Sequence, residues 1–147
     1  MFKGKKRRLS AYQTAIKVLS LRDHGKEELR RKLAGKGYDK DEVAECIERL
    51  IELRYIDDSR VARQAVESMF RRRKGLQAAR RWLINHGFSR QLIEEVCNDE
   101  EFGDEEIRVC KEARERLSGE RAQVWLRLKR RGFRQRTIAK VLIVDAY

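Results

Sequence analysis

Carboxylate and imidazole side chains are the groups of this chain that could support acid–base chemistry. Asp57 and Asp58 form an adjacent carboxylate pair, and the two histidines are His24 and His86. Adjacent residues of a helix point about 100° apart, so the pair favours N-capping of a helix over a joint catalytic role. Both histidines are predicted in the last turns of helices, without a nucleophile or orienting partner at a recognisable spacing. The sequence therefore predicts a binding protein with no catalytic residues, and a hydrolase or nuclease is the disfavoured alternative.

The cysteines and the known cofactor motifs lead to the same conclusion. Cys46, Cys97 and Cys110 fall on predicted apolar helix faces, and the sequence contains no C-x-x-C. We interpret them as buried thiols, with a redox or metal role as the less favoured alternative. The phosphate-binding loop G-x-x-x-x-G-K-[ST] and the zinc motif H-E-x-x-H are also absent from the sequence. The expectation is a protein without cofactor or metal.

Basic residues are clustered along the chain. Lys and Arg number 36 against 24 Asp and Glu, which gives a net charge of +12. The clusters lie at residues 3–8, 71–74 and 127–131, and each could alternatively be a solvated helix face paired with nearby acids. Repetition at comparable positions favours a positive surface for a polyanion or an acidic groove, with affinity that falls steeply with salt. The candidate contact residues are Arg71, Arg72, Arg73, Lys74, Arg80, Arg81, Arg127, Lys129, Arg130, Arg131 and Arg134.

A pattern that occurs three times indicates the elements that position these residues. In each copy an apolar residue is followed four positions later by Leu, and four later again by Gly and an aromatic residue. The copies are Leu29/Leu33/Gly37-Tyr38, Ala79/Leu83/Gly87-Phe88 and Val124/Leu128/Gly132-Phe133. This spacing places the apolar residues on one helix face, and the glycine supplies a left-handed residue at the helix end. Each copy therefore predicts the C-terminal end of an amphipathic helix.

Further apolar periodicity predicts one helix after and one helix before each copy. Asp39 and Ser89 can cap the first two of the following helices, whereas Arg134 is a poor cap for the third. The preceding helices are predicted over residues 10–23, 58–73 and 104–118, with Gly25 as the stop of the first. The predicted fold is all-α: three tandem three-helix repeats forming an elongated, curved, right-handed or solenoid-like row. Its predicted parts are a basic tail at 1–8 and repeats at 9–56, 57–100 and 101–147.

Two tryptophans and one missing feature complete this description. Trp82 and Trp125 lie beside the apolar stripes, so we predict that they pack between neighbouring helices, with base stacking or a protein interface as the alternative. No apolar stretch of about 18 residues and no charged-then-apolar leader is present. We expect a cytoplasmic protein with no membrane association.

One composite motif resembles a known family. The run Glu28-Leu29-x3-Leu33-x3-Gly37-Tyr38 is followed by Ile47-x-x-Leu50 and then by Tyr55-Ile56-Asp57-Asp58-x-x-Val61-Ala62. This combination, with the two later glycine–aromatic copies, resembles the RecX family of RecA regulators over residues 11–144. Val61 stands where the family usually has an aromatic residue, and Lys26 where a small polar residue is common.

The resemblance implies a regulator of homologous recombination, DNA repair and the SOS response. Such a protein would act as a monomer in the groove of the RecA filament on single-stranded DNA. It would lower ATP hydrolysis, strand exchange and co-protease activity, and its direct binding to single-stranded DNA would be weak. The alternative is a helical-repeat protein that binds nucleic acid directly through a basic face.

Overall fold

The structure is a computed structural model that describes residues 8–144, so the predicted basic tail lies outside the described residues except for Arg8. All regular structure in residues 8–144 is helical, which confirms the predicted all-α class. The helices are α1 Ala11–Leu21, α2 Lys26–Gly35, α3 Lys40–Glu52, α4 Asp58–Arg71, α5 Leu76–Asn85, α6 Arg90–Cys97, α7 Glu100–Glu115, α8 Arg121–Arg130 and α9 Gln135–Val144. Among these helices, none has the length and apolar character needed to cross a membrane.

The chain divides into two compact units, the first ending at Asp58 and the second beginning at Ser59. The first unit contains α1 to α3. A capping box starts α1, because the Ser10 hydroxyl accepts the Gln13 N–H while the Gln13 side chain accepts the Ser10 N–H. Asp39 caps α3 as predicted, by accepting the Asp41 N–H. The buried core of this unit consists of Ala11, Ala15, Leu29, Leu33, Val43, Cys46, Leu50 and Ile56.

The connection between α1 and α2 differs from the prediction. α1 ends at Leu21, because Arg22 is extended, and Gly25 is the N-cap of α2 rather than the stop of α1. The prediction that His24 lies in the last turn of a helix is therefore wrong. His24 lies in the connection and is only 2% exposed, where the Arg22 carbonyl and the Lys32 amine contact its two ring nitrogens.

The second unit contains the body of α4 and helices α5 to α9 around one continuous core. Ser89 caps α6 as predicted, by accepting the Leu92 N–H. The helix predicted at 104–118 begins earlier, at Glu100, because Asp99 accepts the Phe102 N–H and starts α7 there. The predicted repeat-core side chains Leu83, Leu128 and Phe133 are at most 2% exposed in this core.

The three repeat glycines adopt the left-handed conformation that the sequence pattern requires. Gly37, Gly87 and Gly132 have φ angles of 87°, 78° and 85°, and each follows a helix end. In each case the aromatic residue after the glycine donates its N–H to the carbonyl of the pattern leucine, as in Phe133 to Leu128 at 3.3 Å. The end of the helix is thus closed in the same way in all three copies.

Candidate functional site

The structure brings two of the predicted basic clusters together in the second unit. Arg71 is the last residue of α4 and residues 72–74 follow it, while residues 129 and 130 end α8 and Arg131 is its C-cap. The Arg131 guanidinium donates to the Arg73 carbonyl at 3.3 Å, and the Gly75 N–H donates to the Arg131 carbonyl at 3.0 Å. We call residues 71–74 and 129–131 the basic patch. The sequence does not show that these residues lie together, because the two segments are more than fifty residues apart in the chain.

Two glycines permit this close approach of backbones. A Cβ atom on Gly75 would lie 2.5 Å from the Gly132 carbonyl oxygen and the Phe133 Cα. A Cβ atom on Gly132 would lie 2.6 Å from the backbone nitrogen of Ala78. The Gln77 N–H donates to the Gly132 carbonyl at 2.8 Å. The turn after α8 therefore supplies a hydrogen-bond acceptor for a backbone N–H in the first turn of α5, which has no partner within that helix. Only residues without a side chain fit at both positions.

We call the close approach of residues 75–78 to residues 132–133 the glycine junction. A buried carboxylate also holds it in place. Glu106 of α7 is fully buried, and it accepts the Leu76 N–H at 2.7 Å and the Arg134 Nε–H at 2.9 Å. The Thr137 hydroxyl also donates to it. One carboxylate therefore caps α5 and holds the start of α9. The sequence analysis missed this role, although Glu106 lies four residues after Phe102 and four before Cys110, in the apolar register of α7.

Two of the predicted contact residues are used inside the second unit. Arg134 makes the ion pair with Glu106, and its side chain is only 18% exposed. Arg80 pairs with Glu94 through both terminal nitrogens, and this hydrogen bond raises the pKa of the Arg80 guanidinium. We therefore assign both arginines a structural role and leave them out of the proposed contact surface.

The other predicted contact residues lie at the surface or at its edge. The side chains of Arg71, Arg81 and Arg130 are exposed and make no hydrogen bond or ion pair with another described residue. The Arg127 guanidinium is 3.4 Å from the Ser118 carbonyl, and the Lys129 amine lies 5.1 Å from the centre of the Trp125 ring. Positive charge at the ends of α4 and α8 also complements the negative end of each helix dipole.

The tryptophans and histidines have structural partners. Trp82 and Trp125 are half-buried against the core of the second unit, which agrees with the predicted packing role. The His86 ring stacks on Trp82 with 3.8 Å between ring centres, and its Nδ1 is 2.8 Å from the Trp82 carbonyl. Within residues 8–144, no cluster of His, Cys, Asp and Glu could hold a metal ion.

The buried cysteines have environments that disfavour the reactive thiolate. All three are unpaired and buried, as predicted. Burial raises the pKa of the Cys110 thiol to about 12, and the neighbouring Glu106 carboxylate adds to that effect. Burial also raises the pKa of Cys97 and of Cys46. At neutral pH these thiols are protonated and act as small apolar side chains.

Comparison with known proteins identifies the family. Residues 11–50 match the family model of the first three-helix domain of RecX, and residues 57–96 match that of the second. The regulatory protein RecX of Chlorobaculum tepidum is 35% identical over 117 residues, which cover 79% of this chain and 69% of that protein. This chain belongs to the RecX family. The regulatory protein RecX of Cronobacter sakazakii is 36% identical over 122 residues, covering 74% of this chain and 71% of that protein.

Solved RecX structures have the same fold. The crystal structure of RecX from Lactobacillus salivarius superposes with a TM-score of 0.81 at 20% identity, covering 93% of this chain and 96% of that one. A second crystal structure, of a regulatory protein RecX, gives a TM-score of 0.76 and covers 89% of this chain and 69% of that one. At 20% identity this likeness concerns the fold. The resemblance inferred from the sequence motifs is confirmed.

Proposed function

We propose that this chain binds in the groove of the RecA filament on single-stranded DNA and inhibits or modulates the recombinase. Membership of a family of regulatory proteins supports the regulatory role. The observation that carries the proposed contact is the convergence of residues 71–74 and 129–131, joined by the Arg131–Arg73 hydrogen bond. A filament of RecA on DNA offers phosphates and acidic side chains, and both would bind to such a patch.

The patch is suited to binding because its charges are concentrated and solvent-accessible. Arg71, Arg72, Lys129, Arg130 and Arg131 are all exposed. Guanidinium groups bind phosphate and carboxylate in a bidentate manner, so they supply geometry as well as charge. The glycine junction and Glu106 fix the backbone on which these side chains stand, which lowers the entropic cost of presenting them together.

The proposed mechanism is steric and electrostatic rather than chemical. A chain bound along the groove would occupy surface that subunits and DNA use during filament growth and strand exchange. ATP hydrolysis, strand exchange and co-protease activity of the filament would then decline. Several modest contacts along one chain would add through effective concentration, so a monomer with weak individual contacts would suffice.

A charge-reversal experiment tests the proposal. Arg71→Glu with Arg130→Glu should reduce inhibition of single-stranded-DNA-dependent RecA ATPase by about tenfold or more, because both lie in the patch and neither is paired with another described residue. Arg116→Glu with Arg121→Glu is the matched control, since both arginines are exposed in the same unit and outside the patch. Circular dichroism should show unchanged helix content for both variants. Equal inhibition by the patch variant and the control would refute the assignment.

The second candidate is direct nucleic-acid binding, which the same patch supports because its residues are all basic. About five phosphate contacts on a single strand give a slope of roughly −3.5 in log affinity against log salt, so DNA binding should weaken steeply as salt is raised. Filament inhibition should have a shallower slope, since a protein groove also offers apolar and hydrogen-bonded contacts that salt does not screen. Equal slopes would favour direct binding.

A further inference from the structure

A second candidate surface lies in the first unit, far along the chain from the basic patch. It is a groove of about 370 Å³ beside α1. Leu9, Val18 and Leu21 supply its aliphatic lining, and Leu21 is 85% exposed, more than any other large apolar side chain among the described residues. We call this surface the α1 groove. Aliphatic side chains grouped in one groove, unlike singly exposed ones, are typical of a surface that binds an apolar partner group.

The charges around the α1 groove have one sign. Arg8, Lys17 and Lys36 line it, and no carboxylate does. Lys17 and Lys36 are exposed and make no ion pair with a described residue. An occupant that buries Leu21 would therefore lie close to three cations, and acidic groups beside its apolar anchor would be stabilised there.

The remaining polar groups of the groove already have partners. The Thr14 hydroxyl lies 2.6 Å from the Tyr38 hydroxyl, which donates to the Leu9 carbonyl at 2.6 Å. The Arg8 guanidinium lies 4.3 Å from the centre of the Tyr38 ring and donates to the Lys36 carbonyl. These contacts hold the side chains of Thr14, Tyr38 and Arg8 in place. A bound partner would therefore interact mainly with the aliphatic side chains and the positive charges of the groove.

These features favour a protein segment over nucleic acid. Single-stranded nucleic acid binds where bases stack on aromatic faces, whereas the one aromatic ring that lines this groove, that of Tyr38, already contacts Arg8. A second copy of the chain is disfavoured by its own net charge of +12. We infer that the α1 groove binds an acidic segment of a partner protein that inserts a leucine-like or phenylalanine-like side chain against Leu21.

Fluorescence anisotropy with synthetic peptides tests this inference on the full chain. The probe is a labelled acidic peptide with leucines spaced four residues apart, and its partner probe has those leucines replaced by serine. The chain should bind the leucine peptide at least about tenfold more tightly than the serine peptide. Leu21→Ser and Lys17→Glu should each weaken binding by about fivefold or more. Both side chains are exposed, so neither variant should unfold.

Matched controls and competing occupants make the outcome decisive. Leu126→Ser and Lys111→Glu alter exposed residues of the other unit and should leave peptide affinity unchanged. Equal affinity for the two peptides, or equal effects of the controls, overturns the inference. Oligothymidine binding that weakens in Leu21→Ser would instead make the groove a nucleic-acid site. Dimers abolished by both Leu21→Ser and Glu48→Lys would assign it to the acidic α3 of a second copy. Because neither RecA nor its filament is present, the result does not depend on the proposed function.

Discussion

The first turns of α2 and α5 present the same structural problem in the two units. Each helix follows a glycine N-cap that offers no side-chain acceptor, so the first backbone N–H needs a partner from elsewhere. In the first unit the Asp58 carboxylate accepts the Lys26 N–H at 2.8 Å. In the second unit the Glu106 carboxylate accepts the Leu76 N–H at 2.7 Å.

The two caps differ in burial and in what else they hold. Asp58 is half-exposed, so water can replace its bond, whereas Glu106 is fully buried and also binds Arg134 and Thr137. A cap at the surface stabilises one helix. A buried cap with further partners joins α5, α7 and α9, which belong to two different predicted repeats. This buried network lies within the second unit, whose apolar side chains form one continuous core.

The largest expected effect is that of removing the buried cap. Glu106→Ala should lower the free energy of unfolding by about 3 to 5 kcal/mol, because it leaves the partly buried Arg134 without its carboxylate and the Leu76 N–H unsatisfied. Asp58→Ala should cost only about 0.5 to 2 kcal/mol, the usual loss for a helix cap. Urea unfolding followed by circular dichroism measures both. Similar costs for the two substitutions would show that burial of the cap is unimportant.

The next largest effect concerns the glycine junction. Gly132→Ala should destabilise the chain by roughly 1 to 3 kcal/mol through overpacking against Ala78, with an added cost from its left-handed φ of 85°. Gly35→Ala is the control in the first unit, since a Cβ atom there would meet nothing within 4 Å. Because Gly35 lies in a helix, Gly35→Ala should raise the free energy of unfolding by up to about 0.5 to 1 kcal/mol. Thermal melts of the two variants should shift in opposite directions, and shifts in the same direction would contradict the packing argument.

A smaller, pH-dependent effect is expected in the first unit alone. Burial lowers the pKa of His24 below its ordinary value of 6.5, against the opposing influences of the Arg22 carbonyl and the Glu28 carboxylate. The positive charges of Arg22 and Lys32 also face the ring and disfavour protonation of His24. Because the unfolded chain binds the proton more readily, His24 contributes stability that is complete above pH 6.5. This stability is lost as the pH falls through 6.5 towards the folded pKa.

Hydrogen exchange resolved by helix can measure this dependence. Protection of α1 and α2 should fall as the pH is lowered through 6.5, while protection of α5 and α8 should not show this change. His24→Gln serves as the control, because glutamine does not titrate and should remove most of the dependence. A loss of protection that persists in that variant would assign the effect to another group. Glu28 is the nearest such group, but its pKa lies below the usual value, since Arg22, His24 and Lys32 outweigh its burial, so it titrates at lower pH.

Sequence periodicity predicts the presence and order of the helices and the repeated helix ends, but not the end of α1 or the start of α7. The spacing of Leu29, Leu33 and Gly37 depends on local geometry, because helix faces and left-handed glycines are properties of neighbouring residues. For the same reason Asp39 and Ser89 were correctly assigned as caps. The division into three separate repeats and the elongated row remain predictions.

The features that the sequence analysis missed depend on contacts between distant segments. Nothing local distinguishes Gly75 from a turn glycine, yet its role is to let a second backbone approach. Glu106 has no role in the sequence analysis, although its position in the apolar register of α7 was a usable signal. Arg80 and Arg134 were counted with the basic clusters, because their partners Glu94 and Glu106 are brought near only by folding.

The smallest expected effect compares two arginines in the same unusual conformation. Arg54 follows α3 with a φ of 60°, and Arg73 follows α4 with a φ of 54°. Glycine relieves about 1 to 2 kcal/mol of left-handed strain but adds entropy to the unfolded chain, so each Arg→Gly substitution should stabilise its unit by about 0.5 to 1 kcal/mol. The functional outcomes should differ, because only Arg73 belongs to the basic patch. Arg73→Gly should weaken inhibition of RecA ATPase by about twofold, the loss of one charge among several, while Arg54→Gly should inhibit as the parent chain does. Thermal melts of the two variants measure the effect of backbone strain on stability, and inhibition assays measure the effect of the lost charge. If both substitutions weakened inhibition equally, Arg73 would not act through the basic patch.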